Sequence, residues 1–212
     1  MLIKIKPEIR FRFILEKGTA MLQYLLKRVG GEYNYMSLLK LAFFADRFHV
    51  RQHARPVSMD EYYAFKYGVA GSQLKNILLE PEIFINPPKV IKRVKGYKVQ
   101  LVSKKIDMDE FSKTEIEALE FSLNNFAEFG RINDFKLSEI SHAYPEWAQY
   151  EDKFNAGLTN REDVDYEDFL KDPPKNHPIF LRNKFTDPFP KLEDSERLEL
   201  IEEMQEHSIP LI

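Results

Sequence analysis

A chain of 212 residues that is 43% hydrophobic, with 17 Phe and 10 Tyr, can build a substantial core, and with no cysteine it does so without disulfides. Chains of this length bury roughly 70% of the surface that the unfolded form exposes, and the lack of cysteine fits reducing surroundings and excludes a thiol nucleophile. The start, MLIKIKPEIRFRF, has no uninterrupted apolar leader, no run reaches the roughly 18 apolar residues of a membrane span, and net charge is only −3, so the chain is expected to be cytoplasmic, with no membrane partner.

Between Ile9 and Val29, the residues Met21, Leu22, Leu25, Leu26 and Val29 recur at helical spacing, and Gly30-Gly31 ends the helix. Asn34 or Ser37 can cap a second helix running to about His53. Its Leu38, Leu41, Ala45 and Phe48 line one face while Leu39, Phe43 and Val50 line another, the pattern of a central helix with little exposed surface. DEYYAFKYG alternates aromatic and polar residues and predicts a short strand ending at Gly68. GSQLKNILLEPE predicts a short helix stopped by Pro81. Val90 to Val94 and Tyr97 to Val102 flank Lys95-Gly96 and predict an antiparallel hairpin.

Ser112-Lys113-Thr114-Glu115 matches a capping box, in which the Ser hydroxyl and the Glu carboxylate each satisfy an orphan backbone N–H. A helix follows to about Phe129, with Ile116, Leu119, Leu123 and Phe126 on one face. Leu137 to His142 predicts a shorter helix, and Pro145 can open another turn carrying Trp147. Beyond Lys171, DPPKNHPIFLRNKFTDPFPKLED holds five prolines and is expected to be extended. Asp194 to His207, with Leu198, Ile201 and Met204 three apart, predicts a terminal amphipathic helix. The fold class is therefore mainly α (α+β): a helical domain over residues 1–171 with a small antiparallel sheet near 90–102, then a Pro-rich tail over 172–212.

Candidate chemistry is sparse. Residues through Ile106 hold 20 Lys+Arg against 8 Asp+Glu, and the remainder 11 against 26. Such a split suits either a nucleic-acid face or two halves that neutralise each other on packing, and the second is the commoner case. The basic run KVIKRVKGYKVQLVSKK poses the same choice, phosphate contact or an edge strand guarded by lysine; with one aromatic among its charges, protection is favoured and nucleic acid is the disfavoured partner. Asp46, His49 and His53 share a helical face and could serve a metal-dependent hydrolase. The HExxH glutamate is absent, however, and Arg47 and Arg51 bracket the site with positive charge better suited to pairing with Asp46 or Asp60. Asp46 reads better as a buried, hydrogen-bonded carboxylate than as a catalyst. Gly68-Val69-Ala70-Gly71-Ser72 lacks the lysine of a phosphate loop and suits a helix start capped by Gly71 or Ser72. Glu139, His142 and Glu146 fall out of helical register at Pro145, which leaves His142 to pack near Trp147.

These residues together suggest a family. LLKLAFFADRFHVRQHARPVSMDEYYAFKYG resembles the opening signature of the Panacea domain of SocA-like antitoxins: a helix ending in Phe-Phe-Ala-Asp, then His, Arg-Pro, Asp-x-Tyr and Tyr-Gly. The hairpin, Phe111-Ser112-x-x-Glu115 and LSEISHAYPEW resemble its later landmarks in the same order, so the resemblance spans roughly residues 20 to 150. Ala54 and Met59 stand where the family tends to have glycine, and Val69-Ala70-Gly71 where it tends to have Pro-Val-Pro. The resemblance implies a non-enzymatic module, without cofactor or metal, that neutralises a cognate protein toxin encoded next to it. It marks Asp46, His49, Tyr62, Lys66, Tyr67, Gly68 and His142 as partner-binding or shape-giving positions, and it leaves the oligomeric state open.

Overall fold

The computed structural model describes residues 9–133 and 135–209. The opening stretch read above as lacking a leader lies outside them through residue 8, as do the last three residues of the tail. Helix α1 (Leu15–Arg28) starts later than the spacing from Ile9 suggests. Ile9 and Phe11 are buried while Arg10 and Arg12 face outward, a period of two that belongs to extended chain. The segment is held there by the far end of the molecule: the Ser208 hydroxyl accepts from Arg10 N at 2.9 Å, and Ile209 N donates to Arg10 O at 2.9 Å.

After the Gly30-Gly31 turn come strand β1 (Glu32–Asn34) and the central helix α2 (Tyr35–His53). The Asn34 carboxamide oxygen caps α2 by accepting from Met36 N and Ser37 N. Fourteen of the helix residues are buried, Asp46, Arg47, His49 and Arg51 among them. Helix α2 ends at Ala54 in the left-handed region, φ 51°. Met59 also has positive φ, 56°, so both sites where the resembling family tends to have glycine demand the backbone freedom that glycine supplies.

The expected single strand before Gly68 is a hairpin. Strand β2 (Tyr62–Phe65) turns at Lys66-Tyr67, and Gly68 opens strand β3 (Gly68–Gly71). The turn requires it: Gly68 has φ +93°. Helix α3 (Ser72–Leu79) follows, and Pro81 opens a 3-10 turn instead of merely stopping the helix. Strands β4 (Ile91–Arg93) and β5 (Lys98–Leu101) form the expected hairpin, which β1 joins to give the order β1-β5-β4. Strand β4, in the basic run, lies at an edge of that sheet.

Helix α4 (Lys113–Ile132) begins with the predicted capping box and packs along α2. Phe44 stacks on Phe126 at 3.8 Å and Phe48 on Phe121 at 4.0 Å between ring centroids, and the Ser122 hydroxyl donates to Leu41 O at 2.7 Å. Helices α5 (Lys136–Ser141), α6 (Pro145–Ala148) and α7 (Glu151–Asn155) lead to β6 (Arg161–Asp163), which no pattern in RED announces. It pairs with β2 to complete a second sheet, ordered β3-β2-β6. The mainly helical α+β class holds, with two three-stranded antiparallel sheets among the described residues.

A 3-10 turn (Tyr166–Leu170) leads into the Pro-rich part, which is not wholly extended: helix α8 (Pro178–Asn183) forms there because Pro178 sits at a first-turn position, where its missing N–H costs nothing. The last helix, α9 (Asp194–His207), has the predicted span but not the predicted face. Met204 is fully buried while Leu198 is 63% exposed. Positions six apart point about 120° away from each other on an α-helix, and Leu200 and Ile201 share the inward face with Met204 instead.

Candidate functional site

The polar end of α2 is held almost entirely from within. Asp46 is fully buried. It accepts from Ser58 N at 3.0 Å, from the Ser58 hydroxyl, and from the Tyr62 hydroxyl at 2.7 Å. Burial pushes its carboxyl up to about 6, opposed by those hydrogen bonds. The pairing expected with Arg47, Arg51 or backbone thus holds only for backbone, because both guanidiniums point elsewhere. Arg47 bonds Glu146 in a pair with no solvent exposure on either side chain, and lies 4.8 Å over the Tyr144 ring and 5.1 Å over Phe189. Burial pushes Glu146 up to about 7 against the pull of Arg47. Arg51 reaches across to Asp172 at 2.6 Å and to Pro190 O at 2.6 Å.

Asp60 likewise pairs with no arginine. It accepts from Glu61 N, Gln73 N and Leu74 N at 2.8 to 3.0 Å, so its carboxylate fills the N-terminus of α3 where a phosphate would otherwise sit. A Cβ on Gly71 would come within 2.5 Å of it. The loop from Gly68 to Ser72 is therefore strand plus helix start, with Gly71 at the cap position.

His49 and His53 do approach, 4.7 Å between ring centroids. Yet His49 Nδ1 bonds Arg55 O at 2.7 Å and Nε2 bonds the Thr114 hydroxyl at 3.2 Å, leaving neither nitrogen for an ion. Burial pushes this imidazole down to about 4. Among the described residues no three His, Asp or Glu side chains gather as a metal site. Glu139, His142 and Glu146 do not converge: Glu139 pairs with Lys136 and Arg182, Glu146 with Arg47, and His142 stacks on Trp147 at 3.5 Å between centroids.

The remaining marked residues belong to one feature, the β2–β3 turn. Lys66 is exposed and Tyr67 is 53% exposed, while Gly68 is buried directly beneath them. A Cβ on Gly68 would meet the Ser141 hydroxyl at 2.3 Å and Lys40 Cε at 2.8 Å. Lys40, which sequence reasoning passed over, is the buried prop of this turn: its ammonium donates to Val69 O at 2.7 Å, and burial pushes its pKa down to about 7. The available signal was a lone charge inside LLKLAFF. Trp147 completes the support by donating through Nε1 to Phe65 O at 2.8 Å. His142 lies against Trp147 and within the field of Lys40, and is pushed down to about 3, mainly by burial. The marked residues thus divide in two: Asp46, His49, Tyr62, Gly68 and His142 fix the architecture, and Lys66 and Tyr67 are offered to solvent.

Residues 38–148 match the family model described as Antitoxin SocA-like, Panacea domain. No curated protein and no solved structure matches the chain.

Proposed function

Because the chain belongs to the SocA-like antitoxin, Panacea domain family, we propose that it neutralises a cognate protein toxin by direct contact. The toxin is taken to be encoded next to it, and both proteins to act in the cytoplasm. The observation that carries this reading is the state of the family motif's polar groups. Asp46, His49 and Tyr62 are each buried with internal partners, as a scaffold requires and as a reaction centre, which must meet substrate, does not. Lys66 and Tyr67, held up by Lys40, Gly68 and Trp147, are the part of the motif free to touch another molecule.

On this reading the protein works by occlusion, not by turnover, and needs no cofactor. Affinity in such contacts concentrates in a few anchor side chains. The test is co-expression with the product of the adjacent reading frame. Restored growth and co-purification of the two proteins are expected; a product that is toxic and remains toxic, with no complex, overturns the proposal.

A further inference from the structure

Three large aromatic side chains outside the core meet on one face, and each comes from a different part of the chain. Tyr67 lies in the β2–β3 turn, Tyr97 in the β4–β5 turn and Phe135 at the start of α5; they are 53%, 53% and 46% exposed. The Phe135 ring centroid is 6.1 Å from Tyr67 and 6.4 Å from Tyr97, and Tyr97 is 6.0 Å from the half-buried Tyr35 at the start of α2. The tips of both sheets therefore converge on one aromatic cluster. Isolated exposed rings are ordinary, but a contiguous group at the junction of several elements marks an interaction surface.

Three exposed cations flank it. Lys66 Nζ lies 5.9 Å from the Tyr67 ring centroid. Lys95 adjoins Gly96 and Tyr97 in the other turn, and Arg93 is near enough for its charge to act on Tyr35. All three cations are exposed, and none forms an ion pair among the described residues. Carboxylates of a partner would complement these three cations.

We propose that Tyr67, Tyr97 and Phe135 form the platform on which the toxin docks, and that the toxin presents there an apolar side chain ringed by acidic residues. This rests on the antitoxin reading above and adds the surface and the chemistry of its partner. Two other occupants fit less well. A second copy, paired about a two-fold axis, would bring Lys66, Arg93 and Lys95 against their own kind. Single-stranded nucleic acid needs ring faces open to successive bases, whereas Phe135 meets Tyr67 at 52° and Tyr97 at 69°, so that the rings close upon one another.

The test uses the full chain and the product of the adjacent reading frame. Tyr97→Ala and Phe135→Ala should each weaken binding about tenfold or more with the thermal midpoint unchanged, and Lys66→Glu with Lys95→Glu should slow association and flatten its salt dependence. Ile85→Ala, at a residue 98% exposed outside the cluster, should bind as wild type. If wild type binds and the platform variants bind within about twofold of it, the platform is wrong and the antitoxin reading stands; if wild type does not bind, both fall. A photo-crosslinking residue at position 97, which leaves the fold intact, should join covalently to the same product, and crosslinking from position 85 alone refutes the platform. Salt-steep binding of an oligothymidylate, or dimerisation at micromolar concentration, would also overturn it if Tyr97→Ala abolished either one.

Discussion

The Tyr62 hydroxyl donates to Asp46 Oδ2 at 2.7 Å and so ties the first strand of the exposed turn to the middle of the central helix. Asp46 accepts from Ser58 as well, and one carboxylate thereby fixes the helix, the loop after it and strand β2 together. Tyr62→Phe removes one donor and leaves Asp46 with the others, a loss of about 1 kcal/mol. Asp46→Ala strands buried donors on two residues and should lose about 2–4 kcal/mol. Urea unfolding of the two variants gives the comparison, and equal losses would mean that the carboxylate is not the hub.

Gly68 is the point at which the turn meets its support. Its φ of +93° is strained for any other residue, and an added methyl runs into Ser141 and Lys40. Gly68→Ala should cost on the order of 2–3 kcal/mol and displace Lys66 and Tyr67 before it unfolds the rest. Hydrogen exchange reads this directly, as loss of protection in residues 62–71 with α4 unaffected.

Lys40 gives the fold a pH dependence with a definite sign. Burial lowers its pKa to about 7 from an ordinary 10.5. Between those values the unfolded chain holds a proton that the folded chain lacks, so stability rises with pH across that window. Asp60 and Glu146, raised to about 7, have largely finished titrating by pH 8, and Tyr62, Tyr144 and Tyr166, raised by burial, oppose the climb only from about pH 9, where their unfolded forms begin to lose protons. From pH 8 to 9 the unfolding free energy should climb by about 1 kcal/mol, and in Lys40→Met the climb should vanish. A slope that survives the substitution assigns the effect to another group.

Arg47 and Glu146 face each other with no solvent exposure, and Glu146 Oε2 and Arg47 Nε find no further partner among the described residues. Arg47→Met leaves a buried carboxyl alone and should cost about 3–5 kcal/mol. The double variant Arg47→Met/Glu146→Gln should cost less than the sum of its singles, because each change removes the group the other left stranded. Additive losses in denaturant unfolding would show the pair to be uncoupled.

Much of this architecture was legible in the sequence because local signals and burial agreed. Asn34 caps α2, Ser112 and Glu115 form a capping box, and Lys95-Gly96 turns a hairpin; each is set by neighbours in the chain. What escaped was decided by distant parts. Strand β6 exists only because β2 offers it an edge, and the residues from Ile9 are extended because Ser208 and Ile209 hold Arg10. The partners of Arg47 and Arg51 lie about a hundred residues away, and helical spacing carries no trace of them. Spacing did place Asp46 and His49 on one helix, but only the fold shows that their lone pairs are already taken. The aromatic cluster was invisible for the same reason, since Tyr67, Tyr97 and Phe135 have nothing in common along the chain.

The residues beyond Lys171 carry side chains that the core uses. Phe180 and Phe189 are buried, Met204 is fully so, and Phe189 lies within 6.4 Å of the rings of Phe44, Phe121, Phe126 and Tyr144. Removing a buried Phe costs about 3–5 kcal/mol and a buried Met about 2–5, so losing all three approaches or exceeds the roughly 5–15 kcal/mol that holds a domain together. Arg51, almost wholly buried, would also lose Asp172 and Pro190 O. A chain ending at Lys171 should therefore show no cooperative unfolding transition, while full-length Phe189→Ala should unfold cooperatively about 3–5 kcal/mol below wild type. If the shortened chain melts at the wild-type temperature, these contacts contribute nothing to stability and the tail is free for the partner. If it fails to fold while Phe189→Ala still binds the toxin, the tail supports the domain from behind and the docking face lies elsewhere, where Tyr67 and Tyr97 stand.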